Sequence, residues 1–516
     1  MNIPSLLPVL LKDGYKVGHK FQYPDGTTLV YSNFTARKSR RESPGIIWFG
    51  LQAFVLEYLI KEFNSKFFIR RKDEVVKAYK RRIDNYLGPG TPVSHIAALH
   101  DLQYLPLHIK SLPEGTLVPH NVPCLTIRNT KPEFFWLTNM LETLLSCQLW
   151  GPSTSATTAF MYRKVFEKYA KETGANRDFC KWQGHDFSFR GMFGVEAALL
   201  SGAGHLLSFT GTDTIPAIDF LEEYYDADCE KELIGGSVPA TEHSVMSMGM
   251  KEGEIETFKR LITKTYPKGI VSIVSDTWDF WKVLTEYLPS LRQAVLARDG
   301  KVVIRPDSGD PVKIICGDPV SSDDVCCRGA IQCLWDVFGG TVNARGFKEL
   351  DPHIGLIYGD SITLERQDAI LSGLRAKGFA SSNVVLGIGS FTYQHATRDT
   401  EGWAMKATYG EKTTFVGGDD HDINNTGWIT EGQAIWKDPK TDDGTKKSHK
   451  GLLCVGDHDL EGPSEMFVTE ECGWTATDGH GFNGEDRGIL ETVFLDGDLK
   501  RRQTLSEIRT RVEGYL

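Results

Sequence analysis

The segment Arg305-Pro306-Asp307-Ser308-Gly309-Asp310-Pro311 sets one fixed cation beside two carboxylates on a loop stiffened by two prolines. An arginine there can grip a phosphate or lie flat on a ring, and Asp307 can accept sugar hydroxyls or bind Mg²⁺ directly or through water. The alternative is an internal Arg–Asp ion pair with an Asx turn. His243 lies in Ser237-Val238-Pro239-Ala240-Thr241-Glu242-His243-Ser244, with Glu242 beside it, and Asp276 can reach it if the intervening strands close a barrel. Carboxylate pairing orients an imidazole and raises its basicity, as a general base or a nucleophile toward phosphate requires. A lone histidine is more often structural or merely exposed. In Asp186-Phe187-Ser188-Phe189-Arg190-Gly191 and Gly211-Thr212-Asp213-Thr214, Phe187 can stack on a planar ring while Asp213 accepts an N–H from it. By patterning alone Phe187 reads as core.

Gly359-Asp360-Ser361 and Gly387-Ile388-Gly389-Ser390 place glycine amides where phosphate cradles form. Either one alone reads as a tight turn; two on consecutive late strands favour a ligand. Neither is a Walker or Rossmann loop. The chain also lacks H-E-x-x-H and G-x-S-x-G, so neither a catalytic zinc site nor a serine hydrolase is indicated.

The elements that must hold these loops follow a rhythm. Ile270–Val274, Val302–Ile304, Ile354–Ile357 and Val384–Leu386 are short β-branched runs, each ending in one of the polar loops and followed by a helical pattern. Their ends recur 29 residues apart (276 to 305) and 30 apart (360 to 390), with a longer connection between. Such βα units predict a parallel sheet, closed as a barrel or doubly wound, with the polar loops at the carboxyl ends where both architectures carry their sites. Helices are expected from Trp278 to Leu291, from Asp323 to Phe338 and up to Lys377. Outside this region the text is β-rich. Thr28–Phe34, several Pro- and Gly-punctuated runs between His100 and Arg128, and Trp403–Tyr409 alternate like strands. Neither end alone has enough strands for a stable sheet, so both ends are expected to fold together. A helix from Pro132 to Gly151 and a last helix from Leu505 complete the pattern. The fold expected is an irregular α/β barrel, residues 151–390, with a β-rich domain built from residues 1–150 and 391–516.

The 516 residues carry 58 Lys and Arg against 68 Asp and Glu, a net charge of −10, which disfavours nucleic acid as a partner. The Lys and Arg between Phe67 and Ile83 read as a solvated helix face. The ten cysteines include no C-x-x-C pair and read as reduced thiols. No run of about 18 apolar residues and no signal-peptide pattern occurs, so no membrane association and a cytoplasmic location are expected.

The ordered motifs from Asp186–Gly191 through Gly211–Thr214, Ser237–His243, Val274–Asp276, Ile304–Gly309 and Gly359-Asp360 resemble those of the nicotinamide phosphoribosyltransferase family. The likeness extends to Asp13–Val17, Gln22–Pro24, Thr397–Asp399 and Trp436–Pro439, nearly the whole chain. It implies transfer of the phosphoribosyl group of 5-phosphoribosyl 1-pyrophosphate to nicotinamide, by a homodimer with shared active sites, with Mg²⁺ and with ATP as co-substrate or activator. By the same resemblance, Phe187 and a partner subunit's copy of Tyr15 would sandwich the ring, Asp213 would accept the carboxamide N–H, and Arg305 would lie at the ring. Asp307, Gly359, Asp360 and Gly389 would hold the ribose and its 5′-phosphate, with Arg190 and Ser390 adding substrate contacts. Arg37, Arg398, Lys406, Lys437 and Lys446 or Lys447 would hold the diphosphate, and His243, with Glu242 and Asp276, would take a phosphoryl group from ATP. The chain departs from the family pattern at Ser390-Phe391, where more glycine is usual, and at Ala404, where well-known members carry serine.

The alternatives are a nicotinate or quinolinate phosphoribosyltransferase, another sugar-phosphate barrel enzyme such as an aldolase, and a non-catalytic phosphoribosyl binder. The aldolase predicts a Schiff-base lysine on a barrel strand, and the four clear strands carry none.

Overall fold

The short β-branched runs of the middle region become strands whose side chains are mostly buried, as expected for a parallel sheet covered by helices. A computed structural model describes residues 6–359, 361–416, 427–441, 446–457, 466–470 and 488–516. The strands follow the order Gly211–Thr212, Gly184–Asp186, Val384–Ile388, Ile354–Tyr358, Val302–Arg305, Val271–Val274. Every neighbouring pair is parallel, with Asp186 level with Ile388 and Val274 with Arg305. The gap between the two edge strands is spanned by residues 236–241, through parallel bridges Gly211 to Gly236 and Ala240 to Ser272. Pro239, which has no N–H, serves only as acceptor for the Ser272 amide at 2.9 Å. The ring of strands is therefore an irregular barrel, and one of its segments is the loop that carries His243. This unit comprises residues 158–222 and 228–396. Its core joins the strand side chains Ile273, Ile304, Leu356 and Leu386 to helical Phe166, Leu288 and Leu371.

The second compact unit comprises residues 1–157, 223–227 and 397–515. Its seven-stranded sheet runs Gly427–Ala434, Trp403–Val416, Thr27–Ala36, Pro123–Asn129, Leu107–Ser111, Glu491–Leu495, Asp498–Leu499. Both chain ends thus supply one sheet, antiparallel at every described pairing. Trp403 stacks on Phe34 with ring centroids 4.8 Å apart, above buried Trp48.

Two local expectations change. The helix expected to stop at Gly151 instead runs from Glu142 to Thr173, straight through Pro152. Ser153 Oγ donates to the Phe49 carbonyl at 2.8 Å and accepts from its amide at 3.1 Å, so packing overrides the Gly-Pro stop signal. A helix not foreseen, Pro311–Cys316, follows the Arg305 loop, and Asp310 caps it by accepting from the amides of Val312 and Lys313.

Candidate active site

His185, Phe187, Asp213, Ser237, Ser272 and Arg305 line a cavity of about 360 Å³ in the barrel unit. That volume falls in the range of small-molecule sites. The Phe187 ring lies on the backbone of Gly387, where a Cβ would stand 2.5 Å from the ring. A larger residue there would push the ring out of place. The His185 ring lies on Gly211 in the same way, with a Cβ only 2.7 Å from Nδ1, and the two rings are 4.6 Å apart.

Asp213 Oδ1 accepts from His185 Nε2 at 2.9 Å and from the Ser237 hydroxyl at 2.8 Å. A carboxylate only accepts, so His185 carries its proton on Nε2. Burial works against the charged carboxylate, but the His185 and Ser237 hydrogen bonds and the charges of His185 and Arg305 outweigh it and hold the Asp213 carboxyl below its ordinary value. The cavity therefore presents an ionised acceptor beside an aromatic ring, a combination suited to a flat ligand that bears an N–H donor.

Asp276 joins two loops. Its Oδ1 meets His243 Nε2 at 3.2 Å, and its Oδ2 accepts from the Ser308 hydroxyl at 2.6 Å and the Asp307 amide at 2.9 Å. Burial opposes ionisation here too, and the Ser308 and Asp307 donors with the His243 charge overcome it, so the carboxyl is depressed. His243 opens the short helix His243–Met248, with half of its side chain exposed. Glu242 does not reach the imidazole in the described contacts; its carboxylate accepts from the Ser244 hydroxyl instead. Arg305 and Asp307 approach to 3.4 Å, so the internal ion pair is present while Arg305 still lines the cavity.

Gly359 packs against the Asp307 carboxylate with no room for a Cβ between them. Gly389 precedes the helix Ser390–Gln394, and the Ser390 side chain fills the space over Gly191. Arg190 is exposed on the turn Phe189–Gly191. Asp360 lies outside the described residues. Among the described residues no group of three His, Cys, Asp or Glu converges on a metal position.

In the other unit, Arg37, Lys38, Arg40, Arg398, Lys406, Lys437 and Lys446 line a second cavity of about 530 Å³, with Asp399 as its acidic member. The strand register explains how distant residues meet: Lys406 pairs with Asn33 across the sheet, and the Arg37 amide reaches the Gly402 carbonyl. Burial, then repulsion by Arg37, Lys437 and Arg398 against the attraction of Glu142, lowers the Lys406 pKa. Mutually repelling cations held this closely form a ready site for a multiply charged anion. Tyr15 is 64% exposed, on the 3₁₀ helix Gly14–Phe21. By contrast, the exposed lysines of helix Lys72–Leu87 pair with local acids such as Asp84 and Asp101, as a solvated face does.

His185, Ser237, Ser308, Lys38 and Arg40 were not singled out from sequence. His185 was open to discovery, since it stands two residues before Phe187 on an extended segment and so shares its face. Nothing local marked Ser308 as a partner of Asp276.

Residues 8–109 match the profile of the nicotinamide phosphoribosyltransferase N-terminal domain, and residues 182–457 that of the nicotinate phosphoribosyltransferase family. The chain is 51% identical to nicotinamide phosphoribosyltransferase of Acinetobacter baylyi, over 99% of this chain and 97% of that one. It is 36% identical to the Mycoplasma pneumoniae protein of the same name, over 78% of this chain and 88% of the relative. In fold it is similar to nicotinate-nucleotide pyrophosphorylase from Pyrococcus furiosus, with a TM-score of 0.53 at 12% identity, covering 97% of this chain and 93% of that one. No described helix is long and apolar enough to cross a membrane. With one profile covering more than half of its length and a relative sharing half of its residues end to end, the chain belongs to the nicotinamide phosphoribosyltransferase family.

Proposed function

We propose that the protein transfers the phosphoribosyl group of 5-phosphoribosyl 1-pyrophosphate to nicotinamide, giving nicotinamide mononucleotide and pyrophosphate in NAD salvage. The observation that carries this reading is the Asp213 carboxylate, kept ionised beside Phe187. It accepts an N–H from a carboxamide and repels the carboxylate of nicotinic acid. The relatives' names point the same way. In the reaction the pyridine nitrogen bonds to C1 of the ribose as the bond to the diphosphate oxygen breaks, and pyrophosphate leaves with that electron pair. The centre is cation-like, so alignment and neutralisation of the leaving group supply the rate, and no nucleophilic side chain is required.

Phe187 stacks on the ring and Arg305 lies at it, while Asp307, Gly359, Asp360 and Gly389 take the ribose and 5′-phosphate, with Arg190 and Ser390 adjoining. The basic pocket of Arg37, Arg398, Lys406, Lys437 and Lys446, offered by a second copy together with Tyr15, takes the diphosphate. Mg²⁺ would neutralise diphosphate charge; with no three-ligand protein cage among the described residues, phosphate oxygens and water would fill most of its shell, with Asp307 as the side chain at hand. His243, hydrogen-bonded to Asp276, is read as the acceptor of a phosphoryl group from ATP, with Glu242 alongside. A cytoplasmic location fits this chemistry.

The test is to incubate purified protein with phosphoribosyl pyrophosphate, Mg²⁺ and each pyridine base. Mononucleotide from nicotinamide is expected, and its absence overturns the reading.

A further inference from the structure

Asp186 ends the strand Gly184–Asp186, and its side chain is fully buried. A carboxylate in such a place is unfavourable unless donors surround it. Here they come from two loops. Oδ1 accepts from the Ser188 amide at 2.9 Å, and Oδ2 accepts from the Thr214 hydroxyl at 2.7 Å and the Thr212 hydroxyl at 3.4 Å. Thr212 Oγ1 in turn accepts from the Thr214 amide at 2.9 Å, and the Asp213 amide donates to the Asp186 carbonyl at 2.9 Å. The residues held between these ties are Phe187 on one loop and Asp213 on the other.

We infer that Asp186 is a positioning residue, whose carboxylate sets the spacing between the Phe187 ring and the Asp213 carboxylate that a stacked, amide-bearing pyridine requires. This rests on the proposed function and concerns the base subsite alone. An apolar residue would fill the same volume, but only an acceptor with two oxygens can tie the Ser188 amide to the two threonine hydroxyls. A second buried brace supports the same turn. His205 accepts from the Tyr393 hydroxyl at 2.6 Å on Nδ1 and donates from Nε2 to the Gly211 carbonyl at 2.9 Å. Burial lowers the His205 pKa to about 4, so the ring is neutral and its two nitrogens take these opposite roles. Recognition groups held on packed, hydrogen-bonded supports keep their geometry to about 0.5 Å.

The test is steady-state kinetics of full-length Asp186→Ala, Asp186→Asn and Thr214→Val, with both bases. Asp186→Ala should raise KM for nicotinamide about tenfold and shrink the preference for nicotinamide over nicotinic acid, with KM for phosphoribosyl pyrophosphate within about twofold of wild type. Asp186→Asn keeps an acceptor for the Ser188 amide but loses the one for the threonine hydroxyls, so it should recover only part of the loss. A purely structural role would lower kcat through loss of folded enzyme and leave both KM values and the base preference unchanged, and that result overturns the inference. If Asp186→Ala does not fold, Thr214→Val decides: a raised nicotinamide KM supports the positioning role, and an unchanged one overturns it. A wild-type chain that turns over neither base overturns the proposed function and this inference with it. A wild-type chain that turns over, with variants unaltered in base KM and preference, overturns the positioning role alone.

Discussion

In the proposed reaction Asp213 carries the choice between bases, and its surroundings state what each change should do. Asp213→Asn removes the charge that repels nicotinic acid, so the preference for nicotinamide should fall by at least about tenfold, or about 1.4 kcal/mol. Competition assays with both bases check this, and an unchanged ratio would refute the charge argument. The depressed Asp213 carboxyl stays ionised throughout the neutral range, so KM for nicotinamide should not follow its titration between about pH 5 and 8. Because the folded pKa lies below the unfolded one, the ionised group stabilises the fold above the unfolded value, and that share is lost as pH falls through the folded value. The Asn variant should accordingly show a shallower acid unfolding profile below about pH 4. For His243, His243→Ala should lose stimulation by ATP; a variant stimulated to the wild-type extent would remove the phosphoacceptor role. Much of this constellation was legible as residue types, since Phe187 and Arg305 line one cavity with Asp213. What single positions could not show is pairing. His185 and Ser237 make direct contacts with Asp213, and Glu242 turns to Ser244 although it neighbours His243 in sequence.

At the scale of elements, the βα rhythm was readable because buried parallel strands are nearly continuous apolar runs, and their carboxyl-end loops stand out by contrast. Signals that depend on packing were not readable. Gly-Pro at 151–152 reads as a helix end, yet Ser153 pins the chain to Phe49 and the helix continues. The same corner gives a stability prediction. Gly50 has φ +107° and a Cβ there would lie 2.8 Å from Pro152, while the buried Glu114 carboxylate accepts from the Gly50 and Gln52 amides at 2.7 and 2.6 Å. Gly50→Ala should therefore destabilise by about 2 kcal/mol, through a strained backbone and a clash. Thermal unfolding measures it, and an unchanged Tm would show that the corner relaxes freely.

At the scale of the whole molecule, the proposed sharing of each site between two copies makes a sharp prediction. Asp307→Ala removes a barrel residue and Arg398→Ala a residue of the basic pocket, so each homodimer should be nearly inactive. If each site draws on two copies, mixing and reassembling the variants should return about a quarter of wild-type activity, because half of the dimers are mixed and each has one intact site. Sites complete within one chain predict no recovery. Sedimentation of the wild type checks the dimer itself.

The sequence by itself determined the fold class, the polar loops at the strand ends and the family, because these are written in local periodicity and in residues spaced along single segments. Its net charge of −10 also disfavoured a polyanionic nucleic acid partner, though not a small, highly charged anion. Only the tertiary structure decided which groups meet. Strand pairing brings Arg37 and Lys406 into one pocket from sequence positions far apart, barrel closure sets Asp276 between His243 and Ser308, and helix capping takes Asp310. The physical reason is that periodicity reports how each residue faces its own element, whereas hydrogen bonds and charge pairs depend on distances between elements that the packed core alone sets.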